Sequence, residues 1–304
     1  MPASSDASFR RYFRVATPDG PVILMDAPPE FEDSHPFVDI DQRLRDAGVN
    51  VPRILAADLE QGFLLLSDLG DDIYLGQLDA DNADALYGDA LTALVAMQAH
   101  GDCRGLPPYD AALLHREMAL FPDWLLERHL GLDLRDARPA LSATFERLAA
   151  SALEQPRVFV HRDYHSRNLM HTARDNPGIL DFQDAVAGPV TYDLVSLLRD
   201  CYVAWPDERV DDWIEHYLRL AGDAGIDTGD AARFRRWFDL MGVQRHLKAS
   251  GIFARLYHRD GKAGYLPDIP RTWGYIRARF GQYEELEPLA ELADRLELDR
   301  LLAP

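Results

Sequence analysis

The stretch VFVHRDYHSRNLM, Val158 to Met170, sets unusual chemistry into a short turn. Three apolar residues lead into His161, Arg162, Asp163, Tyr164, His165, Ser166, Arg167 and Asn168, and then Leu169 and Met170 return to apolar character. Turns ordinarily use Gly, Asn or Pro for backbone geometry. This one carries a carboxylate and an amide between two runs that read as buried strands. A further strand-like run, GILDFQD (178–184), follows the turn-rich HTARDNPG. Asn168 lies five residues after Asp163, and Asp181 lies thirteen after Asn168. Chain reversal through this hairpin predicts that Asp181 returns beside Asn168. An amide carbonyl and a carboxylate are hard oxygen donors that suit Mg²⁺, which also takes waters and substrate phosphates. Asp163 is then placed to accept a proton from a substrate hydroxyl.

Upstream of this island the first 70 residues alternate short β-like runs with turns. RYFRVA (11–16) and PVILMDA (21–27) flank TPDG, a hairpin signal. Phe37, Ile40 and Leu44 recur at helical spacing between Pro36 and Gly48, predicting a helix over 36–48. RILAADL (53–59) and GFLLLSDLG (62–70) read as a second strand pair. Beyond Gly70 the pattern is mostly amphipathic helix, over 82–100, 113–130, 139–155, 190–203, 207–224, 230–250, 270–283 and 286–302. The expected fold is therefore α+β and bilobal. A small antiparallel-sheet lobe covers residues 1–70, with a hinge about 67–70. A larger helical lobe over 71–304 holds the hairpin, with a ligand cleft between the two lobes.

Composition narrows the function. The 304 residues are 47% hydrophobic and 27% charged, ordinary for a globular protein. The formal net charge of −19 repels nucleic acid and anionic membranes, and neither partner is expected. No apolar run approaches the roughly 18 to 20 residues that span a bilayer, and the N-terminus has no apolar leader. Cys103 and Cys201 have no metal-type spacing and suit a reducing cytoplasm. Lys248 and Lys262 are the only lysines, so no mechanism in the N-terminal part can use one.

The order His161, Asp163, Asn168, then Asp181-Phe182-Gln183, resembles the catalytic loop and D-F-G-like aspartate of kinase-fold enzymes. HRDYHSRNLM together with GILDFQDAVAGPVTYDLVSLLRD is similar to the aminoglycoside phosphotransferase branch, which phosphorylates small molecules. DASFRRYFRV, VILMDAPP, LLSDLGD and QRHLKASGIFARL extend the resemblance to the amino-sugar anomeric kinases of bacterial cell-wall recycling. The resemblance implies a bilobal protein-kinase-like fold and a cytoplasmic enzyme. It implies transfer of the ATP γ-phosphate to the C1 hydroxyl of N-acetylmuramate or N-acetylglucosamine. Asp163 would be the catalytic base, with Asn168 and Asp181 holding Mg²⁺. Asp193 matches the aspartate that braces the loop in that branch. A kinase for choline, a thioribose or an aminoglycoside, and a non-catalytic nucleotide-binding pseudokinase, are the alternatives.

Two departures stand out. The central-strand lysine that meets the α- and β-phosphates is missing, with Met25 or a neighbour in its place, and Asp39 and Asp41 are the nearest acids to the usual helix glutamate. One or more of Arg10, Arg11 and Arg14 is expected to replace the lysine. In addition only MPASS precedes DASF, so the first strand is very short or the sequence begins late relative to its relatives. The rest of the nucleotide site is expected at Ser8 and Phe9 over the phosphates, Val22 and Leu24 over the base, and Ser67, Asp68 and Leu69 at the hinge. Asp184, Arg199, Gln244, Arg245, His246 and Lys248 are the candidates for the acceptor, beside Asp163.

Overall fold

The structure is a computed structural model; it describes residues 2–5 and 9–303, the first group by backbone alone. The chain divides into two compact units. The first comprises Met1–Leu106, His161–Val186 and His216–Ile226. The second comprises Pro107–Val160, Ala187–Glu215 and Asp227–Pro304. The expected lobe boundary at 67–70 lies inside the first unit.

The first unit is built on an antiparallel sheet of β1 (Pro2–Ser5), β2 (Arg11–Thr17), β3 (Gly20–Asp26), β4 (Ile54–Asp58) and β5 (Phe63–Ser67), in the order β1-β2-β3-β5-β4. β1 comprises four residues and pairs with β2. The β2–β3 turn closes where expected, with Thr17 Oγ1 donating to the Gly20 carbonyl at 2.6 Å and Gly20 at φ +116°. Gly62 is also required: at φ +78° its carbonyl accepts from the Ala27 N–H at 2.8 Å just past β3, and an added Cβ would lie 2.1 Å from the Ala27 oxygen.

Strand register decides which side chains face inward. Tyr12 pairs with Met25, which pairs with Leu64; Arg14 pairs with Ile23, which pairs with Leu66. Directly paired residues share a face of the sheet. Met25, Leu64 and Leu66 are buried, so this is the inner face. Helix α1 (His35–Asp46) follows, with Phe37, Ile40 and Leu44 buried as the spacing predicts and Gly48 at φ +80° ending it. After α2 (Tyr74–Gln77), the predicted long helix is α3 (Ala83–His100).

The second unit is helical. The helix expected over 113–130 divides into α4 (Ala111–Met118) and a π-helix, Phe121–His129, which opens on Pro122. Proline lacks the N–H that would continue a regular ladder. Next come α5 (Arg138–Leu153), α6 (Tyr192–Leu198) and α7 (Asp207–Asp223), the last shared by both units. Helix α8 (Ala231–Asp260) passes through Gly251 and runs well beyond the expected end at 250. Gly251 allows the close approach of a neighbouring backbone. A Cβ there would lie 2.3 Å from the Leu120 carbonyl carbon and 2.6 Å from the Phe121 nitrogen. Helices α9 (Ile269–Arg277), α10 (Glu287–Arg295) and α11 (Leu298–Leu301) complete the unit. Among the described residues no helix is long and apolar enough to cross a membrane.

Gly251→Ala separates two opposing effects. Alanine raises helix propensity by about 1 kcal/mol, whereas forcing a methyl into backbone atoms costs about 1–3 kcal/mol or more. The contacts are with backbone, which cannot rotate away, so the clash wins. Urea unfolding is expected to show a net loss of about 2 kcal/mol.

Candidate active site

All the chemistry-bearing residues of the opening stretch belong to the first unit. Strand β6 (Arg157–Val160) ends at the boundary, and residues 161–168 form the loop into β7 (Leu169–Met170). β7 pairs with β8 (Gly178–Ile179) through Leu169 with Ile179 and Met170 with Gly178. The Leu180 N–H donates to the Asn168 carbonyl at 2.9 Å, which carries the pairing one residue further. Asp181 therefore emerges beside Asn168. The Asn168 Nδ2 lies 3.4 Å from Asp181 Oδ2 and donates to the Asp163 carbonyl at 2.9 Å. Asp163, Asn168 and Asp181 are all half-buried, and Asp184 is exposed.

His161 holds the loop together. It is buried, and its Nε2 donates to the Leu180 carbonyl at 3.0 Å while its Nδ1 accepts from the Asp163 N–H at 3.2 Å. These two bonds require a neutral ring with the proton on Nε2. Burial lowers its pKa to about 4, against the opposing pull of Asp163, so the ring is neutral near pH 7. Arg162 and Asp181 adopt φ of +78° and +62°. Non-glycine residues in this region store strain that surrounding contacts must hold. For Arg162 one such contact is Nη1 donating to the Asp184 carbonyl at 3.3 Å. Gln183 Nε2 donates to Asp181 Oδ1 at 2.8 Å, a partner that sequence reasoning did not single out although it completes the D-F-Q triplet. Phe182 is buried, its ring 4.8 Å from Phe37 of α1.

The donor set fits a magnesium ion. One carboxylate and one amide carbonyl, adjacent and half-buried, supply two hard oxygen ligands, the number Mg²⁺ takes from protein when phosphates and water complete its shell. Among the described residues no group of three or more His, Cys, Asp or Glu is placed to hold a metal.

The nucleotide-side residues fall into distinct places. Ser8 lies outside the described residues. Phe9 is exposed and stacks on Phe31 at 4.9 Å. Arg10 pairs with Glu32 at 3.2 Å and Arg11 with Asp26. Arg14 is fastened at several points, to the Asp68 carboxylate, the Gly70 carbonyl and Asp71. Val22 and Leu24 lie on the half-exposed face of the sheet, opposite Ile23 and Met25. Ser67 accepts the Arg53 N–H, and Leu69 packs so closely on the hairpin that a Cβ on Gly178 would lie 2.7 Å from it. On α1, Asp39 pairs with Arg43 at the surface. Asp41 is buried with Oδ1 lacking a hydrogen-bond partner, and burial raises its pKa to about 6.

The remaining acceptor candidates lie in the interior of the second unit. Arg199 Nη1 donates to Asp239 at 2.7 Å, and its carbonyl accepts from His246 Nε2 at 2.9 Å. His246 stacks on Tyr275, and burial lowers its pKa to about 3. Arg245 donates to Cys201 Sγ at 3.4 Å. Lys248 Nζ donates to Tyr192 at 2.9 Å and lies 3.0 Å from Glu117. Gln244 is fully buried. The Arg199 Nη2 and both polar atoms of the Gln244 amide are buried without a hydrogen-bond partner. The aromatic residues Trp213, Trp237 and Phe238 are core.

The model of the phosphotransferase enzyme family matches residues 1–237. The chain belongs to that family. It is a small-molecule kinase with ATP as co-substrate. A protein of Pseudomonas aeruginosa named N-acetylmuramate/N-acetylglucosamine kinase is 54% identical over 294 residues, covering 96% of this chain and 87% of that protein. A protein of the same name from Neisseria meningitidis is 46% identical over 297 residues, covering 95% and 88%. The structure of choline kinase from Streptococcus pneumoniae is 12% identical with a TM-score of 0.64, covering 91% of this chain and 92% of that one. The fold is that of the protein-kinase-like phosphotransferases.

His161 makes stability depend on pH. Its folded pKa of about 4 lies below the unfolded value of about 6.5, so the unfolded chain binds the extra proton first. Its contribution is full above pH 6.5 and is lost as pH falls toward 4, by about 3 kcal/mol. Urea unfolding across pH 4–8 is expected to give a flatter profile in that window for His161→Gln, whose stability at pH 7 is lower.

Proposed function

We propose that the protein transfers the γ-phosphate of ATP to the anomeric hydroxyl of N-acetylmuramate or N-acetylglucosamine. The observation that carries the chemistry is the return of Asp181 to within 3.4 Å of Asn168, beside the loop that bears Asp163. The amino-sugar specificity rests on the names of relatives 46–54% identical over nearly all of the chain.

In this reading the Asp163 carboxylate accepts the hydroxyl proton as the sugar oxygen attacks phosphorus. Its loop geometry is held by neutral His161, which keeps the carboxylate aimed without competing for the proton. The Asn168 amide oxygen and the Asp181 carboxylate hold Mg²⁺, which neutralises charge on the phosphates when bound. The positive φ at Asp181 turns its carboxylate toward Asn168 instead of along the strand. Ser67, Asp68 and Leu69 receive the adenine through backbone groups, and Ile23, on the inner face, covers the base. ATP as donor and a reducing interior for Cys103 and Cys201 suit a cytoplasmic enzyme.

An assay of ATP consumption with N-acetylmuramate, N-acetylglucosamine, choline and kanamycin tests the reading. Turnover is expected with the amino sugars, and turnover with choline or kanamycin alone overturns it. Asp163→Asn is expected to lower kcat by about 100-fold or more while ATP binding persists. Asp181→Asn is expected to raise the Mg²⁺ concentration needed for half-maximal nucleotide binding by about tenfold or more.

A further inference from the structure

The absence of a central-strand lysine leaves the terminal phosphates of ATP without their usual cation. We infer that Arg10, oriented by Glu32, supplies that charge; the inference rests on the ATP-dependent reading above. The three arginines of the first strand pair are not equivalent. Arg11 pairs with Asp26, and its side chain is 63% exposed on the face opposite Met25. Arg14 shares the inner face but is fastened to Asp68, Gly70 and Asp71 near the hinge. Arg10 precedes Tyr12 by two residues, and Tyr12 is the direct partner of Met25. Arg10 immediately precedes β2, whose first residue Arg11 pairs with Asp26, so it stands at the end of the sheet next to the Tyr12–Met25 pair.

Glu32 gives Arg10 a defined position. Its Oε1 accepts the Phe9 N–H at 2.9 Å, and its Oε2 lies 3.2 Å from Arg10 Nη2. One carboxylate thus grips both the backbone before Arg10 and the guanidinium itself. The pair is shielded, with side-chain exposures of 9% for Arg10 and 14% for Glu32. Phe9 and Phe31, the residues before Arg10 and Glu32, stack on each other with ring centroids 4.9 Å apart. Charges held in such a place act more strongly than charges in open water. A guanidinium is a planar fork that can serve a carboxylate on one edge and phosphate oxygens on another. Glu32 is therefore a positioning residue. It stands in the P-P-E-F-E-D connection before α1, where sequence alone gives it no distinction from Glu30 or Asp33.

The test is equilibrium binding of AMP and of a non-hydrolysable ATP analogue with Mg²⁺ to the full chain, alongside thermal unfolding. E32Q keeps an acceptor for the Phe9 N–H and loses the charge. It is expected to bind the ATP analogue about tenfold more weakly, with AMP affinity within about twofold of wild type. R10A is expected to lose at least as much for the ATP analogue. The charge-swapped R10E/E32R protein restores the ion pair, and is expected to regain melting temperature without regaining ATP-analogue affinity. Equal weakening of AMP and the ATP analogue, unchanged ATP-analogue binding in E32Q and R10A, or recovery of binding in the swapped protein would each overturn the inference. If these variants bind normally while the wild type phosphorylates an amino sugar, only this inference falls. A wild-type protein that binds no nucleotide removes both.

Discussion

One backbone hydrogen bond decides the site: the Leu180 N–H on the Asn168 carbonyl. It extends the two-residue β7–β8 ladder by one pair and so sets Asp181 against Asn168. His161 locks the same junction from the other side, because its ring joins the Leu180 carbonyl to the Asp163 amide. Asp163, Asn168 and Asp181 are thereby referred to one short piece of backbone. Burying a neutral imidazole between a donor and an acceptor costs little, whereas burying its charged form costs much. The constraint is therefore strongest at neutral pH.

The site is also attached to the rest of its unit. Phe182 packs on Phe37, so the position of α1 and that of the D-F-Q turn are mechanically linked. Leu69 leaves no room for a side chain at Gly178, which ties the end of the small sheet to the hairpin. The bonds of Arg14 to Asp68 and Asp71 act on the same segment. Burial raises the Asp68 pKa, but the Arg14 and Gly70 hydrogen bonds outweigh it and hold the carboxylate below its usual range. This arginine braces the segment that the sheet presents after β5.

Much of the fold was legible because its signals are local. Turn chemistry at Thr17–Gly20, the stripe of Phe37, Ile40 and Leu44, and the spacing of Asp163, Asn168 and Asp181 all act within a few residues or one hairpin. The misreadings share a different origin. The helix expected to end at 250 runs on through Gly251, where the close backbone of Leu120 and Phe121 leaves no room for a side chain. Alternation along β3 supplies two faces, and only the pairing with β2 and β5 puts Met25, Leu64 and Leu66 on the buried one.

The sequence by itself determined the kinase-like order of His161, Asp163, Asn168 and Asp181, and the pairing of one amide with one carboxylate. It also determined the absence of a lysine where the phosphates need one. Each of these is a matter of residue type at fixed spacing. Tertiary structure alone decided the partners of the arginines: Arg199 with Asp239, Arg245 with Cys201, Arg14 with Asp68 and Asp71, Arg10 with Glu32. The reason is physical. A long cation reaches several partners at similar local cost, and only the folded positions of the acids, distant in sequence, determine which pairing is made.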